Sequence, residues 1–409
     1  MPDGSAFRPA MVMAGGVAGL AVVRALESVG VPVIVLYHDV HDVGRASRYA
    51  TASIRVPHPE HAETEFVDQM LAVGPVHTGA LLLPTSDEAV KTLGRHKRAL
   101  ERHYVVGCVN WEVSERFIDK RHTYELAERL GVPAPRTVVP GSVDGLEAAR
   151  DVLQFPCLVK PRESHRYVEV FGRKMVKVDS HAEMIEAVRE ADEAGLDVLI
   201  QEFIPGGDDA GVNYNAYFQD GRPLAACTAQ KLRLSPPEMG RPRVLISRHV
   251  PDVAELATAL ISEMGVEGFS CTEFKWDRRD ATYELMEING RPNHSTALSV
   301  RCGVNFPAII YRHLIQGELP TESSYETGVY WIDEVADVAR SFSSRRTERY
   351  PWRDYLRPYV RPRVLATFDR RDPAPLVARC VGIGARALKR LDPGRDRGHA
   401  RPAGNLADE

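Results

Sequence analysis

The stretch from Phe269 to Ser295 constrains the fold of this chain more than any other. Two apolar runs, Phe269–Trp276 and Thr282–Ile288, flank a charged DRRD tip. Two β-prone runs joined by a short polar turn are typical of a β-hairpin. The sequence therefore predicts a pair of antiparallel strands here, closed by a tight turn.

The register of this hairpin brings two acids together. A three-residue tip loop would pair Arg278 with Thr282, and counting back along both strands then places Glu273 opposite Glu287. Opposed carboxylates destabilise a sheet, whereas a divalent cation between them reverses the sign of that effect. Asn289 lies two residues beyond Glu287 and projects from the same face. Mg²⁺ prefers such oxygen ligands, so the hairpin predicts a magnesium site; a solvated face with incidental acids is the alternative.

Length and composition are those of an ordinary globular protein. The chain has 409 residues, enough for two or three lobes, with 44% hydrophobic and 26% charged residues. A formal net charge of −4 gives no overall polycationic signature for nucleic acid. No apolar run reaches the roughly 20 residues of a membrane helix, and the N-terminus lacks the pattern of an export signal. Six scattered cysteines indicate neither zinc nor a disulfide framework, which favours a cytoplasmic location.

The N-terminal part alternates strands and helices. Pro9–Met13 reads as a buried strand, and AGGVAG, a helical run and a second strand, Pro32–Tyr37, follow it. Gly15, Gly16 and Gly19 form a loose version of the dinucleotide-binding fingerprint. A tight strand-to-helix turn that needs small residues explains them equally directly, and we favour that interpretation.

The motif E-x-N-x-R-P that ends the hairpin resembles the metal-binding end of the ATP-grasp superfamily. The resemblance implies that Glu273, Glu287 and Asn289 hold two Mg²⁺ ions on the phosphates of ATP, with Mn²⁺ as the alternative ion. It also implies that Arg291 faces the transferring phosphoryl group or the acyl substrate.

Two lysines extend the resemblance. A D-K-(helix)-G-V-P-x-P-x-T pattern starts at Asp119 and is similar to the family's entry into its ATP-binding lobes, where the lysine, here Lys120, contacts a nucleotide phosphate. The run FPCLVKP delivers Lys160 at the end of a buried strand, where an ammonium is costly without an anion. The resemblance implies that Lys160 binds the α and β phosphates.

The segment after Lys160 departs from the family. Most relatives have a Gly/Ser-rich flap where this chain has residues 162–173, which resemble the amino-acid ligase branch around D-aspartate ligase. His165, Arg166 and Arg173 could supply cations in place of the flap's backbone amides. A solvated connection between strands is the alternative.

The stretch DVLIQEFIPG reads as a strand and a turn. The resemblance makes it the hinge that reads the adenine edge, with Gln201 accepting from the adenine amino group and Glu202, Phe203 and Ile204 lining the slot. Asp208 or Asp209 would accept from the ribose hydroxyls, although an ordinary turn signal explains both as well.

Two more cations complete the predicted site. Lys231 ends a predicted strand, and the resemblance places it near the γ-phosphate. Arg248 follows an apolar strand and is predicted to bind a substrate carboxylate or, as Arg291 would, to stabilise a tetrahedral oxyanion. A surface arginine is the alternative for Arg248.

Beyond Pro320 the composition changes, and residues 340–401 are dense in arginine with interleaved proline and aromatic residues. Such a stretch contacts nucleic acid or an anionic membrane in some proteins. We favour a docked helical extension, expect no nucleic-acid partner, keep peripheral membrane contact as the alternative, and predict disorder from about Pro393.

These patterns predict a multidomain α/β and α+β fold. Residues 1–115 would form a Rossmann-like pre-ATP-grasp domain. Two lobes with antiparallel sheets would follow at 116–204 and 205–325, the second carrying the metal site. Residues 326–409 would form the helical, Arg-rich C-terminal extension.

The predicted function is an ATP-dependent ligase. It would activate a small-molecule carboxylate as an acylphosphate, join it to an amine in an amide bond, and release ADP and phosphate. Other ATP-grasp chemistry, such as bicarbonate activation or carbamoyl phosphate synthesis, is the nearest alternative. An NAD-dependent oxidoreductase built on the glycine loop and a non-catalytic nucleotide-binding protein are the alternatives from other classes.

Overall fold

The computed structural model of the chain describes residues 8–13, 16–140, 146, 152–162, 167, 170–321, 324–343 and 350–391. Three sheets, of five, four and seven strands, organise these residues. The fold is a mixed α/β architecture, as the sequence predicts.

The five-stranded sheet is parallel, in the order β3-β2-β1-β4-β5. Its strands are β1 (Ala10–Met13), β2 (Val33–Tyr37), β3 (Ala52–Arg55), β4 (Leu81–Leu83) and β5 (Val105–Val106). The connecting helices are α1 (Val17–Glu27), α2 (Glu63–Val73), α3 (Asp87–Arg95) and α4 (Lys97–Leu100). Because side chains alternate along a strand, Val12 packs toward α1 and Met11 toward α2 and α3. The apolar run of β1 is therefore buried on both faces, as parallel sheets require.

The four-stranded sheet is antiparallel, in the order β6-β9-β7-β8. Two helices precede it, α5 (Trp111–Ile118) and α6 (Lys120–Leu130). Its elements are β6 (Thr137–Val138), β7 (Cys157–Pro161), β8 (Val176–Val178), α7 (His181–Glu193) and β9 (Val198–Glu202). Asp119 caps α6 by accepting from the Arg121 amide at 3.0 Å, and Gly131 ends it with φ of 67°. Lys120 therefore lies at the first residue of a capped helix.

The seven-stranded sheet has the order β14-β13-β10-β11-β12-β15-β16. Its strands are β10 (Gly211–Gln219), β11 (Arg222–Ser235), β12 (Arg241–Ser247), β13 (Gly268–Asp277), β14 (Thr282–Asn289), β15 (Tyr330–Ile332) and β16 (Arg363–Leu365). Helix α8 (Asp252–Met264) packs on one face of β10 and β13. Helices α9 (Thr296–Arg301) and α10 (Phe306–Tyr311) contribute to the cores on the other face, which include residues of α1.

The predicted hairpin forms, and Glu273 does pair with Glu287. Two steps in the prediction of this register are wrong, the length of the tip and the regularity of β14. The tip has four residues, because Asp277 rather than Arg278 pairs with Thr282. A bulge at Met286 then supplies one extra residue on β14 and restores the predicted pairing of the two acids.

The C-terminal extension is docked on the rest of the chain. Its helices are α11 (Glu334–Ser343), α12 (Trp352–Val360) and α13 (Ala374–Leu391). Asp337 on α11 is fully buried and accepts from Arg233 and Arg243 at 2.9 and 3.0 Å. Asp372 accepts from the side chain of Arg24 at 3.0 Å. The extension therefore ties the seven-stranded sheet to helix α1. Among the described residues, no helix combines the length and apolarity needed to cross a bilayer.

Candidate active site

The centre of the candidate site is the acid pair on β13 and β14. Glu273 forms an ion pair with Lys231 of β11. The ammonium of Lys120 lies 3.6 Å from Oε1 of Glu287. Two of the predicted phosphate lysines thus converge on the two predicted metal acids, although one begins helix α6 and the other lies on β11.

Glu273 and Lys231 each stabilise the charged form of the other. Burial disfavours the ionised form of Glu273, but the adjacent ammonium of Lys231 outweighs it and lowers the pKa of this carboxyl below its usual value. Burial likewise opposes the charged form of Lys231, and Glu273 raises its pKa above the usual value. Both groups are therefore charged near neutral pH.

Gly211 makes the ion pair sterically accessible. Gly211 lies on β10 between the two strands that carry Glu273 and Lys231, and a Cβ placed on it would lie 2.7 Å from Cδ of Lys231. The lysine side chain therefore crosses the backbone of Gly211 to reach Glu273. A side chain at this position would occupy its path.

We expect Gly211→Ala to displace the ammonium of Lys231 and to lower ATP-dependent turnover about 10- to 100-fold, the effect of weakening one charge-assisted contact. Nucleotide-dependent phosphate release at saturating Mg²⁺ measures this. Gly384→Ala, on the exposed surface of α13 with open space around it, is the steric control. Full turnover in Gly211→Ala would show that the position of Lys231 is not needed.

Arg291 connects the end of β14 to helix α3 of the N-terminal part. Its guanidinium donates to both carboxylate oxygens of Asp87, at 2.7 and 2.8 Å, and to Oδ1 of Asn289 at 3.3 Å. Asp87 is the first residue of α3. Between Asn289 and Arg291, Gly290 allows the ring of Phe117 to approach, since a Cβ there would lie 2.4 Å from Cζ. The turn is thus fixed by packing and by a bidentate ion pair.

Lys160 lies at the end of β7 with 6% of its surface exposed. Its ammonium donates to Oε1 of Gln201 on β9, and Nε2 of Gln201 donates to Oγ1 of Thr137 at 2.8 Å. Burial, followed by the charge of Lys120, lowers the pKa of Lys160 to about 8. A buried ammonium with a neutral partner is a site at which an anion would bind favourably.

Gln201 is held by two side-chain contacts in the structure. Its carbonyl oxygen already accepts from Lys160 and its amide already donates to Thr137, so this side chain links β6, β7 and β9. Glu202 accepts from the Gln154 amide at 2.8 Å. Both side chains are therefore buried parts of the four-stranded sheet, and the assignment of Gln201 to the adenine amino group remains a prediction.

Phe203 and Ile204 are both buried directly after β9. The ammonium of Lys177 lies 4.0 Å, and that of Lys275 4.8 Å, from the centroid of the Phe203 ring. Cations held over an aromatic face at these distances are attracted by it. The predicted adenine slot is therefore flanked by one lysine from the four-stranded sheet and one from the hairpin.

Asp208 is a loop-holding residue in the structure. Its carboxylate accepts from the amides of Leu234 and Glu238, each at 2.6 Å. The contacts fix the loop between β11 and β12 beside the short 3₁₀ turn Asp208–Ala210. The turn interpretation accounts for these contacts, and the assignment to ribose remains a prediction.

Arg248 is not brought to the acid pair. Its Nη1 donates to Oε1 of Gln230 at 2.8 Å. Gln230 pairs with Val212, whose side chain lies in the core under α8, whereas Glu273 pairs with the next residue, Asn213. Because side chains alternate between faces, Gln230 and Glu273 belong to opposite faces of the sheet. The surface-arginine alternative fits Arg248 better than a catalytic role.

Two residues near the site, Lys174 and Asn213, were missed in the sequence. Lys174 lies close enough to lower the pKa of both Glu273 and Asp87, after burial and the direct partner of each acid are counted. Asn213 is 2% exposed, and its Oδ1 has no hydrogen-bond partner among the described residues. Burial, followed by the charges of Arg241 and Arg291, lowers the pKa of His294 to about 4. The basic Arg-Lys pair before β8 is the one sequence signal that could have identified Lys174.

The segment predicted to replace the phosphate flap lies largely outside the described residues, including His165 and Arg166. Arg173 is described, and it pairs with Glu190 on α7 at 3.1 Å. Helix α7 belongs with the four-stranded sheet, so the structure gives Arg173 a local contact and not one at the acid pair.

The glycine loop after β1 is hydrogen-bonded to a side chain of the protein, Asp42. Gly15 lies outside the described residues, but the Gly16 amide donates to Oδ2 of Asp42 at 3.0 Å, and the Gly44 amide donates to Oδ1 at 2.7 Å. The Asp42 carboxylate accepts the hydrogen bond of the Gly16 amide, which in a dinucleotide site would donate to the pyrophosphate. This contact favours the tight-turn interpretation over an NAD site.

A second acidic group lies at the hairpin tip. Ligand oxygens of Asp277, Asp280 and Glu284 lie within 4.8 Å of one another. Arg279 donates to both oxygens of Asp277, at 3.1 and 3.0 Å from Nε, and neutralises much of this charge. Burial, followed by Asp277, raises the pKa of Glu284 to about 7. We assign no metal to these acids, because Arg279 donates to both oxygens of Asp277 and burial disfavours the ionised form of Glu284.

The three-sheet arrangement matches the fold of ATP-grasp enzymes of known structure. Biotin carboxylase from Campylobacter jejuni, solved as a β-γ-ATP complex, matches with a TM-score of 0.62 and 16% identity over 78% of this chain and 74% of that one. An L-amino acid ligase from Bacillus licheniformis matches with a TM-score of 0.59 and 16% identity over 76% and 74%.

Among curated proteins, D-aspartate ligase from Enterococcus faecium is 26% identical over 258 residues, which is 60% of this chain and 61% of that protein. This chain therefore spans about six tenths of that relative's length. No protein-family model matches the sequence. The resemblance to ATP-grasp carboxylate–amine ligases that the sequence motifs indicate is confirmed by these matches.

Proposed function

We propose that this protein is an ATP-dependent ligase that activates a small-molecule carboxylate and joins it to an amine. The observation that carries the proposal is the cross-strand pair of Glu273 and Glu287, which is faced by Lys231 and Lys120. Opposed carboxylates and nearby lysines together form a site for metal-bound phosphates. The similarity to D-aspartate ligase and to L-amino acid ligase supports an amino acid or peptide as substrate.

Glu273, Glu287 and Asn289 would hold Mg²⁺, because all three offer oxygen donors and two of them oppose each other across the ladder. The bound ion would offset charge on the β and γ phosphates. The number of ions, and Mn²⁺ as the alternative, remain predictions. Arg291, fixed by Asp87, would face the transferring phosphoryl group or the acyl substrate.

Lys160 and Lys120 would contact the nucleotide phosphates, and the backbone at Glu202, Phe203 and Ile204 would bind adenine. The substrate carboxylate attacks the γ-phosphate and ADP leaves, which gives an acylphosphate. The amine then attacks the acyl carbon, phosphate leaves, and the nitrogen loses a proton. Oδ1 of buried Asn213, cross-strand from Glu273, would accept an N–H of that amine.

The proposed domain boundaries follow the three sheets, except that the last two strands of the seven-stranded sheet, β15 and β16, come from the C-terminal extension. A Rossmann-like pre-ATP-grasp domain at 1–115 would help to hold the substrate, lobes at 116–204 and 205–325 would bind the nucleotide, and 326–409 would form the Arg-rich extension. The contact of Asp87 with Arg291 supports a substrate-binding role for the first domain. A cytoplasmic location and the absence of a nucleic-acid partner remain predictions.

The proposal is tested with hydroxylamine as the amine. An acylphosphate formed from Mg-ATP and the correct acid reacts with hydroxylamine to give a hydroxamate, so a panel of amino and hydroxy acids can be screened without knowledge of the second substrate. We expect hydroxamate and ADP in equal amounts for one acid class. ATP turnover that depends on bicarbonate alone would favour the other ATP-grasp chemistry, and nucleotide binding without turnover for any acid would favour a non-catalytic protein.

A further inference from the structure

Helix α12 carries an exposed apolar stripe. Trp352, Leu356 and Val360 are 73%, 48% and 74% exposed. They are spaced four residues apart, so they lie on one side of the helix. Large apolar side chains grouped on a surface usually mark a binding site. We call this side, together with the arginines described next, the α12 outer face.

A row of cations lies beside the stripe. Arg353, Arg357 and Arg361 each follow one of the apolar residues by one position, and all three are exposed. The segment 350–391 contains ten Lys and Arg residues against three Asp, in a chain whose formal net charge is −4. Positive charge is therefore concentrated in this extension.

The inner side of α12 is fixed to the protein. The hydroxyl of Tyr359 donates to Oδ2 of Asp337 at 2.7 Å. Arg233 donates to the carbonyl oxygen of Tyr355 at 2.9 Å, and its guanidinium carbon lies 4.6 Å from the Tyr355 ring centroid. The helix is thus anchored through one side, while the α12 outer face points away from the core.

We propose that the α12 outer face binds the surface of an anionic lipid bilayer. An apolar row with tryptophan beside a row of arginines is the pattern of an interfacial helix, which buries the apolar row among the acyl chains and keeps the cations at the headgroups. Nucleic acid would bind the arginines through its phosphates, but it would leave the exposed Leu–Val row without an apolar partner. A second copy of this chain would bring like-charged arginine rows together across a two-fold axis. This inference does not depend on the proposed ligase activity.

The test uses the full chain and sedimentation with vesicles. We expect the protein to sediment with vesicles that contain phosphatidylglycerol and to stay in solution with phosphatidylcholine alone. The triple variant Trp352→Ser, Leu356→Ser, Val360→Ser should bind at least 10-fold more weakly, and so should Arg353→Glu, Arg357→Glu, Arg361→Glu. Binding should weaken as salt rises. Because these side chains are exposed, neither variant should change the melting temperature.

Matched controls come from elsewhere on the surface. Val76→Ser removes a residue that is 82% exposed in the N-terminal part, and Arg98→Glu reverses an exposed charge there. Both should bind vesicles as the unmodified protein does. A blue shift of tryptophan emission on vesicle binding, lost in Trp352→Phe while sedimentation persists, would place Trp352 itself in the bilayer.

Three results would overturn the proposal. The first is absence of sedimentation with phosphatidylglycerol vesicles. The second is vesicle binding that the apolar triple variant leaves unchanged, which would indicate contact by charge alone. The third is a concentration-dependent dimer that the apolar triple variant abolishes without any vesicle binding, which would identify a second copy as the occupant.

Discussion

Glu287→Gln should abolish ATP-dependent turnover while leaving the fold intact. The substitution keeps the shape of the side chain and removes one negative charge from the pair with Glu273. We expect a loss of at least about 1000-fold, or roughly 4 kcal/mol in the activation free energy, because the metal then loses one of its two anionic ligands. Steady-state release of ADP at saturating acid and amine measures the effect, and circular dichroism verifies folding.

The structure suggests a control and a diagnostic for this variant. The side chain of Glu287 is 41% exposed, so its neutralisation should leave the melting temperature nearly unchanged. Glu263→Gln, on the exposed surface of α8, should retain full turnover. Raising the Mg²⁺ concentration should restore part of the activity of Glu287→Gln if metal affinity is what was lost. Turnover within 10-fold of the unmodified protein at low Mg²⁺ would reject the metal assignment.

The hairpin shows what local patterns can predict. Alternation of apolar residues placed both strands, and the pairing of Glu273 with Glu287 is correct. The tip was predicted one residue too short and the bulge at Met286 was not foreseen, and the two errors cancel. A bulge depends on how the strand packs on its neighbours, which the alternation pattern along one strand does not reveal.

The contacts that the sequence did not reveal at other positions have a common physical cause. Arg248 was identified correctly as following an apolar strand, but its face depends on the pairing of β11 with β12, which is interrupted by two register shifts. Gln201 was placed on the correct strand, yet its partner Lys160 comes from β7, which pairs with β9 across 41 residues of sequence. The secondary-structure element in which a residue lies can be predicted from the local sequence. The contact partner of a buried polar group is decided by long-range register.

Two of the lysines lie at the ends of elements, where they were recognisable in the sequence. Lys120 begins a capped helix and Lys160 ends a buried strand, whereas β11 continues past Lys231 to Ser235, so the prediction that Lys231 ends its strand is wrong. Ends of elements are where a backbone pattern is most visible in a sequence, and they are also where a fold presents side chains to a cleft. Asn213, in the middle of β10, has no such marker and was missed.

Lys160 should make nucleotide binding dependent on pH. Burial and the neighbouring charge of Lys120 lower its pKa to about 8, whereas an unperturbed lysine titrates near pH 10.5. Below pH 8 the ammonium is present and can bind phosphate, and above pH 8 the free protein loses this charge. Because the nucleotide binds the protonated form, the Kd for Mg-ADP should rise up to about 10-fold per pH unit above 8.

Substitutions at this lysine separate its charge from its size. Lys160→Met should weaken Mg-ADP binding about 10- to 100-fold at pH 7, since a buried charge-assisted contact contributes about 1.5–3 kcal/mol, and it should remove the pH dependence. Lys160→Arg keeps a cation whose pKa stays above the whole range, so its Kd should not change between pH 7 and 9.5. Calorimetric titrations across this range measure both variants. A flat profile for the unmodified protein, or a sloping one for Lys160→Arg, would show that another group controls the binding of the phosphates.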